Sequence, residues 1–135
     1  VSLLFLITAF FINKNIASNI NSFQKGLLDF FKYLNKESSN VKYLNDNNND
    51  EIGVMAKVVN QNIIQTKNLI EQDEALINDV KRVVNLVKDG YFKQTINKTT
   101  QNQNLEELKI IVNEMLETIA ENVSTDINKI QTILD

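Results

Sequence analysis

One spacing, repeated 53 residues apart, restricts this chain more than any other feature. Ile16, Ile20, Phe23, Leu27, Phe30 and Leu34 follow one another at intervals of 4, 3, 4, 3 and 4, the a/d seam of a helix that packs in a coiled coil or bundle. The stretch from Asn35 to Asn49 is polar, with Val41, Tyr43 and Leu44 as its apolar members. Asp50 then offers a helix N-cap, and Ile52, Met55 and Val59 resume the spacing. The plan recurs. Phe23, Leu27, Phe30 and Leu34 fall on Leu76, Val80, Val83 and Val87, while Ile52, Met55, Val59 and Asn62 fall on Leu105, Leu108, Val112 and Met115, each 53 positions on. Asn62 alone breaks the apolar match. The chain reads as helix–connector–helix, twice.

Connector length sets the topology. Antiparallel neighbours need about 2–8 linking residues, whereas the connectors here run from Asn35 to Asn49 and from Asp89 to Gln103. About fifteen extended residues span roughly 50 Å, enough to return along a helix and start the next one parallel to it. Phe92 and Ile96, after Gly90, are placed to pin the second connector. Two parallel helices cannot seal so apolar a core, so a homodimer of parallel four-helix bundles is expected. Asn104 and Glu107 have the spacing of a capping box for the last helix.

Ile52 to about Lys88 reads as one uninterrupted helix. Its seam meets Asn62, Thr66 and Asp73, and a neighbouring stripe of Ile63, Ile70, Ile77 and Val84 takes over. Such a change of stripe is a stutter that locally unwinds a coiled coil. The seam can be satisfied in two ways, which makes Asn62, Thr66 and Asp73 switch candidates. Ile119, Val123, Ile127, Ile130 and Leu134 carry the final helix onward.

Composition supports helices and excludes much chemistry. There is no Pro and only 3 Gly, against the turn-rich pattern of an all-β domain. With no His and no Cys, the chain lacks an imidazole base, a thiolate nucleophile and the usual zinc ligands. No catalytic residues, cofactor or metal site are expected, and the chain reads as no enzyme. Its net charge of −3 and single Arg82 leave no basic stripe for nucleic acid. Asp46, Asn48 and Asp50 mimic the start of a calcium loop, but Glu51 and Lys57 stand where Gly and Glu are required. Glu106, Glu107, Glu114, Glu117 and Glu121 read as a solvated helix flank. Val1 to Ile12 is uncharged and almost wholly apolar. At about 18 Å of helix it is shorter than a bilayer core, and it reads as the distal half of a transmembrane helix in a piece of a longer chain, with the buried helix start of a soluble bundle as the alternative. Lys14 and Lys25 after it point to a cytoplasmic exit.

Ile16-Ala17-Ser18-Asn19-Ile20, then Asp50-Glu51-Ile52-Gly53-Val54-Met55 and Val59-Asn60, resemble the HAMP signalling module, and Gly90-x-Phe92-x-x-x-Ile96 resembles its connector. Asn19 stands where the family usually has Pro, and Asn104-Leu105-Glu106-Glu107 replaces the Asp-Glu-x-Gly opening in a divergent second copy. Gly26 to Asn35 and Val83 to Phe92 also look like bacterial methyl-accepting chemotaxis proteins. The resemblance implies that Glu51 anchors the second helix against the partner chain's first helix, and that Gly53 lets helices approach closely. It divides the chain into the end of a transmembrane helix (1–13), a first module (14–66), a connecting helix (67–73), a divergent second module (74–122) and the start of a signalling helix (123–135). The implied role is a relay in the inner membrane, with residues after about 13 in the cytoplasm. It would reach a chemotaxis kinase and adaptor only through a region beyond Asp135. The same module in a histidine kinase or nucleotide cyclase, or a structural coiled-coil tether, are the alternatives.

Overall fold

The helices begin and end where the local chemistry of the backbone requires it. The structure, a computed structural model, describes residues 2–134, and the side chains of all of them except residues 10–16. Ile16, the first seam residue, is therefore outside the described side chains, as is part of the apolar start. The described residues form α1 (Ser2–Leu34), α2 (Glu51–Lys88) and α3 (Gln103–Leu134), with no strand among them. Among these residues no helix is long and apolar enough to cross a membrane.

Both first helices of the repeat end identically. The Lys36 N–H donates to the Tyr33 carbonyl and the Glu37 N–H to the Lys32 carbonyl; Gly90 and Tyr91 repeat this on Val87 and Leu86. This is the Schellman arrangement, whose penultimate residue takes a left-handed backbone. Gly90 does so at φ 96° without a side-chain penalty, and Lys36 does so at φ 61°. The second helices also start alike. Asp50 Oδ1 accepts the Gly53 N–H at 3.1 Å, and Asn102 Oδ1 accepts the Leu105 N–H at 3.3 Å. The cap of α3 is thus Asn102, in place of the expected Asn104 and Glu107 box. The incoming chain is anchored on α2 at Thr100, Gln101 and Asn102 itself, whose Nδ2 donates to Asp73, so the helix starts directly after Asn102.

The chain divides into two compact units, Val1–Lys67 and Asn68–Asp135, each with its own apolar cluster. The first consists of Phe30, Val41, Leu44, Ala56 and Ile63, flanked by Phe23, Tyr33 and Val59. The second consists of Leu76, Val83, Ile96 and Leu116, flanked by Val80, Val87, Leu105 and Val112. Phe30 and Val83, and Ile63 and Leu116, stand 53 apart.

The expected core divides by direction. Leu27, Ile52 and Phe92 are half-buried, but Ile20, Leu34, Met55, Leu108 and Met115 lie exposed. A unit has only two helices and a connector, so it covers the side of each seam that faces the connector and leaves the other side open. Val41, Leu44, Ala56, Ile63 and Leu116 fill the covered side instead.

Gly53 carries a close approach, though not between helices. A Cβ there would lie 1.8 Å from the Asn48 carbonyl oxygen, so the connector's own backbone presses on the first turn of α2. Alanine normally favours a helix over glycine by about 1 kcal/mol. Gly53→Ala should instead destabilise the protein by roughly 2 kcal/mol, since backbone must move. Urea unfolding followed by circular dichroism measures this, and a stabilised variant would contradict the packing.

Candidate functional site

A connector that returns along a helix carries backbone N–H and C=O groups with no ladder to join. Buried, each needs a partner. One asparagine in each unit supplies both halves of the answer. In the first unit the Leu44 N–H donates to Asn60 Oδ1 at 2.8 Å, and Asn60 Nδ2 donates back to the Leu44 carbonyl at 2.9 Å. In the second the Ile96 N–H donates to Asn113 Oδ1 at 2.8 Å, and Asn113 Nδ2 returns to the Ile96 carbonyl at 3.2 Å. The primary amide imitates the edge of a neighbouring strand. Asn60 and Asn113 stand 53 residues apart, so the repeat extends to this contact.

The clasp fixes direction. Leu44 lies against Gly26 of α1, where an added Cβ would be 2.6 Å from the Leu44 Cγ. It also bonds Asn60 of α2, while Asn48 touches Gly53. The chain therefore runs backward along both helices, and the two helices are parallel. In the second unit Asn97 meets Asp79 and Gln101 meets Gln72 on α2, while Ile96 meets Asn113 and Thr100 meets Glu106 on α3. The order is again reversed along both helices.

Around the clasps the units differ. Asn60 Nδ2 also reaches Asp46 Oδ2 at 3.3 Å, and Lys67 Nζ sits 5.1 Å from the centre of the Tyr43 ring, a cation–π contact that holds the connector's outer face. In the second unit Asp79 is 9% exposed and accepts from Arg82 Nε at 2.9 Å and from the Asn97 N–H at 3.3 Å. Partial burial raises its pKa; the bonds from Arg82 and Asn97 and the Arg82 charge outweigh this and hold it below the ordinary carboxylate value. Glu106 is lowered by its bonds to Lys109 and to the Thr100 N–H.

The sequence-derived candidates fall in different places. Asp50 caps α2, Glu51 is exposed, and Gly53 receives the connector. Asn62 is exposed, with Nδ2 bonded to the Val58 carbonyl of its own helix, and Thr66 is half-buried. Asp73, within α2, accepts from the Thr100 hydroxyl and from Asn102 Nδ2. Its helix face is taken by the second connector. Asn60 was visible in the sequence only as part of the Val59-Asn60 motif, and Asn113 not at all. Their common signal is an asparagine recurring at the 53-residue period within an apolar helix face. Among the described residues no cluster of acidic side chains could hold a metal ion.

Comparison with protein-family models, curated proteins and solved structures gives no match to this chain.

Asn60→Leu keeps the side-chain volume and removes the clasp. Leaving a buried N–H and C=O unpaired should lower stability by roughly 2–4 kcal/mol, read from the urea midpoint. A change below about 0.5 kcal/mol would mean that water serves the Leu44 backbone equally well.

Proposed function

We propose that the chain is a tandem HAMP-type signal relay of a chemotaxis receptor, acting as a parallel homodimer that turns helix movement into repacking. The observation that carries this reading is the duplicated clasp. Asn60 on Leu44 and Asn113 on Ile96 hold each connector back along its helices, which makes each unit a pair of parallel helices with one seam open. Ile20, Leu34 and Met55 in the first unit, and Leu108 and Met115 in the second, lie on that open side. A second copy would cover them as a parallel four-helix bundle. Glu51, exposed at the start of α2, is available to the partner's first helix. The apolar start of α1, with Leu3, Leu4, Phe5 and Leu6 exposed, fits a membrane-proximal place at the cytoplasmic face of the inner membrane. The output would pass beyond α3 to a chemotaxis kinase and its adaptor.

A relay needs two packings of nearly equal energy, so that a modest input changes their populations. Asn62 interrupts the open seam between Met55 and the stripe through Ile70 and Ile77, and it is the position at which the two packings would part.

Val83 would be an uninformative cross-linking site because it is 0% exposed within the single chain. Met55→Cys and Leu108→Cys, 53 residues apart on the open seam, should each give disulfide-linked dimers under mild oxidation, while Lys57→Cys on the opposite side of α2 should not. Equal linking at Lys57 and Met55 would contradict a parallel bundle. Adding Asn62→Leu should shift the ratio of linking rates at Met55 and Leu108 by about threefold, the response of packings within about 1 kcal/mol of each other. An unchanged ratio would indicate a static tether.

A further inference from the structure

The two connectors share a plan and differ in chemistry. The first enters its unit through two buried side chains, Val41 and Leu44, and the acceptor for its clasped N–H is the neutral amide of Asn60. The second buries Ile96, held by the neutral amide of Asn113, and beyond that point leans on carboxylates. The Asn97 N–H donates to Asp79 Oδ2 at 3.3 Å and the Thr100 N–H to Glu106 Oε1 at 2.8 Å. The Thr100 hydroxyl and Asn102 Nδ2 both donate to Asp73. These acids belong to the second copy alone: 53 residues earlier, Asp73, Asp79 and Glu106 correspond to Ile20, Gly26 and Gly53.

We propose that residues 97–102 form an acid-releasable strap, hinged at Ile96, which detaches from α2 and α3 when Asp79 and Glu106 are protonated, while Ile96 and the whole first connector stay in place.

The groups facing the strap come from both helices and from the strap itself. On α2 they are Gln72, Asp73, Asp79 and Arg82, with Arg82 Nη2 2.8 Å from Asp79 Oδ1. On α3 they are Glu106, Lys109 and Asn113, with Lys109 Nζ 2.6 Å from Glu106 Oε2 and 3.2 Å from the Lys98 carbonyl. The strap carries the charge of Lys98. Hydrogen bonds to ionised acceptors are roughly twice as strong as neutral ones. Protonation therefore weakens the hold on the strap and leaves Arg82 and Lys109 without their counter-charges. Asp79 and Glu106 are both lowered in the folded protein. Such a group contributes stability that is fully present above its unfolded pKa, about 4, and is lost as pH falls through the lower folded value. The strap is thus held at neutral pH and leaves only in acid. The amides that accept from Leu44 and Ile96 do not titrate in this range.

Amide-resolved hydrogen exchange on the full chain, corrected for intrinsic exchange rates, tests the strap at pH 7 and about pH 3. Protection of the Asn97 and Thr100 N–H groups should fall at least about tenfold in acid, while Leu44 and Ile96 stay within about twofold. Joint loss at all four amides would mean that the fold gives way as a whole and would overturn the strap. So would unchanged protection at Asn97 and Thr100. The charge can also be removed at pH 7. Asp79→Asn should deprotect Asn97, and Glu106→Gln should deprotect Thr100, with helix content by circular dichroism and Leu44 protection unchanged. Full protection in both variants would overturn the assignment of the hold to charge.

Discussion

Two parallel helices on one chain cannot be joined by a turn, and the amide clasp is what makes the alternative tolerable. The connector must travel back the length of a helix with backbone donors and acceptors that no helix or sheet supplies. Leu44 and Ile96 can be buried only because Asn60 and Asn113 satisfy both the N–H and the C=O of those same residues. Among common side chains the primary amide is the one that offers a donor and an acceptor side by side. Asn does so with one methylene fewer than Gln to immobilise. Once the clasp holds, the apolar side chain enters the core, the connector's course is set, and the next helix starts parallel to the last.

The close approaches at Gly26 and Gly53 follow from that course. The first connector presses its Leu44 side chain against α1 and its Asn48 carbonyl against the first turn of α2. The second unit meets the same requirement with polar chemistry. Where Gly26 makes room for Leu44, Asp79 reaches out and accepts the Asn97 N–H. One architecture is thus fastened mainly by packing in one copy and largely by charge-assisted hydrogen bonds in the other. In the proposed relay the units would differ in how firmly they hold their connectors, while presenting similar open seams to a partner.

Much of the helical plan was legible because it depends on local chemistry. The a/d spacing, the cap at Asp50 and the end of α2 at about Lys88 are written in neighbouring residues. The 53-residue repeat announced two copies, and the buried pairs Phe30 with Val83 and Ile63 with Leu116 keep that period. The site was less legible. A heptad seam says which residues share a helix face, but not which part of that face the connector covers. Met55 and Leu108 therefore remain open, while Ala56 is buried among larger residues. Asp73 looked like a defect in a seam because its partners, Thr100 and Asn102, lie far along the chain.

The sequence by itself determined the all-helical class, the two-copy layout, and where α1 and α2 stop, since periodicity, capping and backbone preference act within a few residues. Only the tertiary structure decided which asparagines clasp the connectors, that Gly53 accommodates Asn48, and that carboxylates hold the second connector. Those roles depend on groups brought together across 5 to 29 positions of chain. The return path of a connector, and not local preference, chooses such partners.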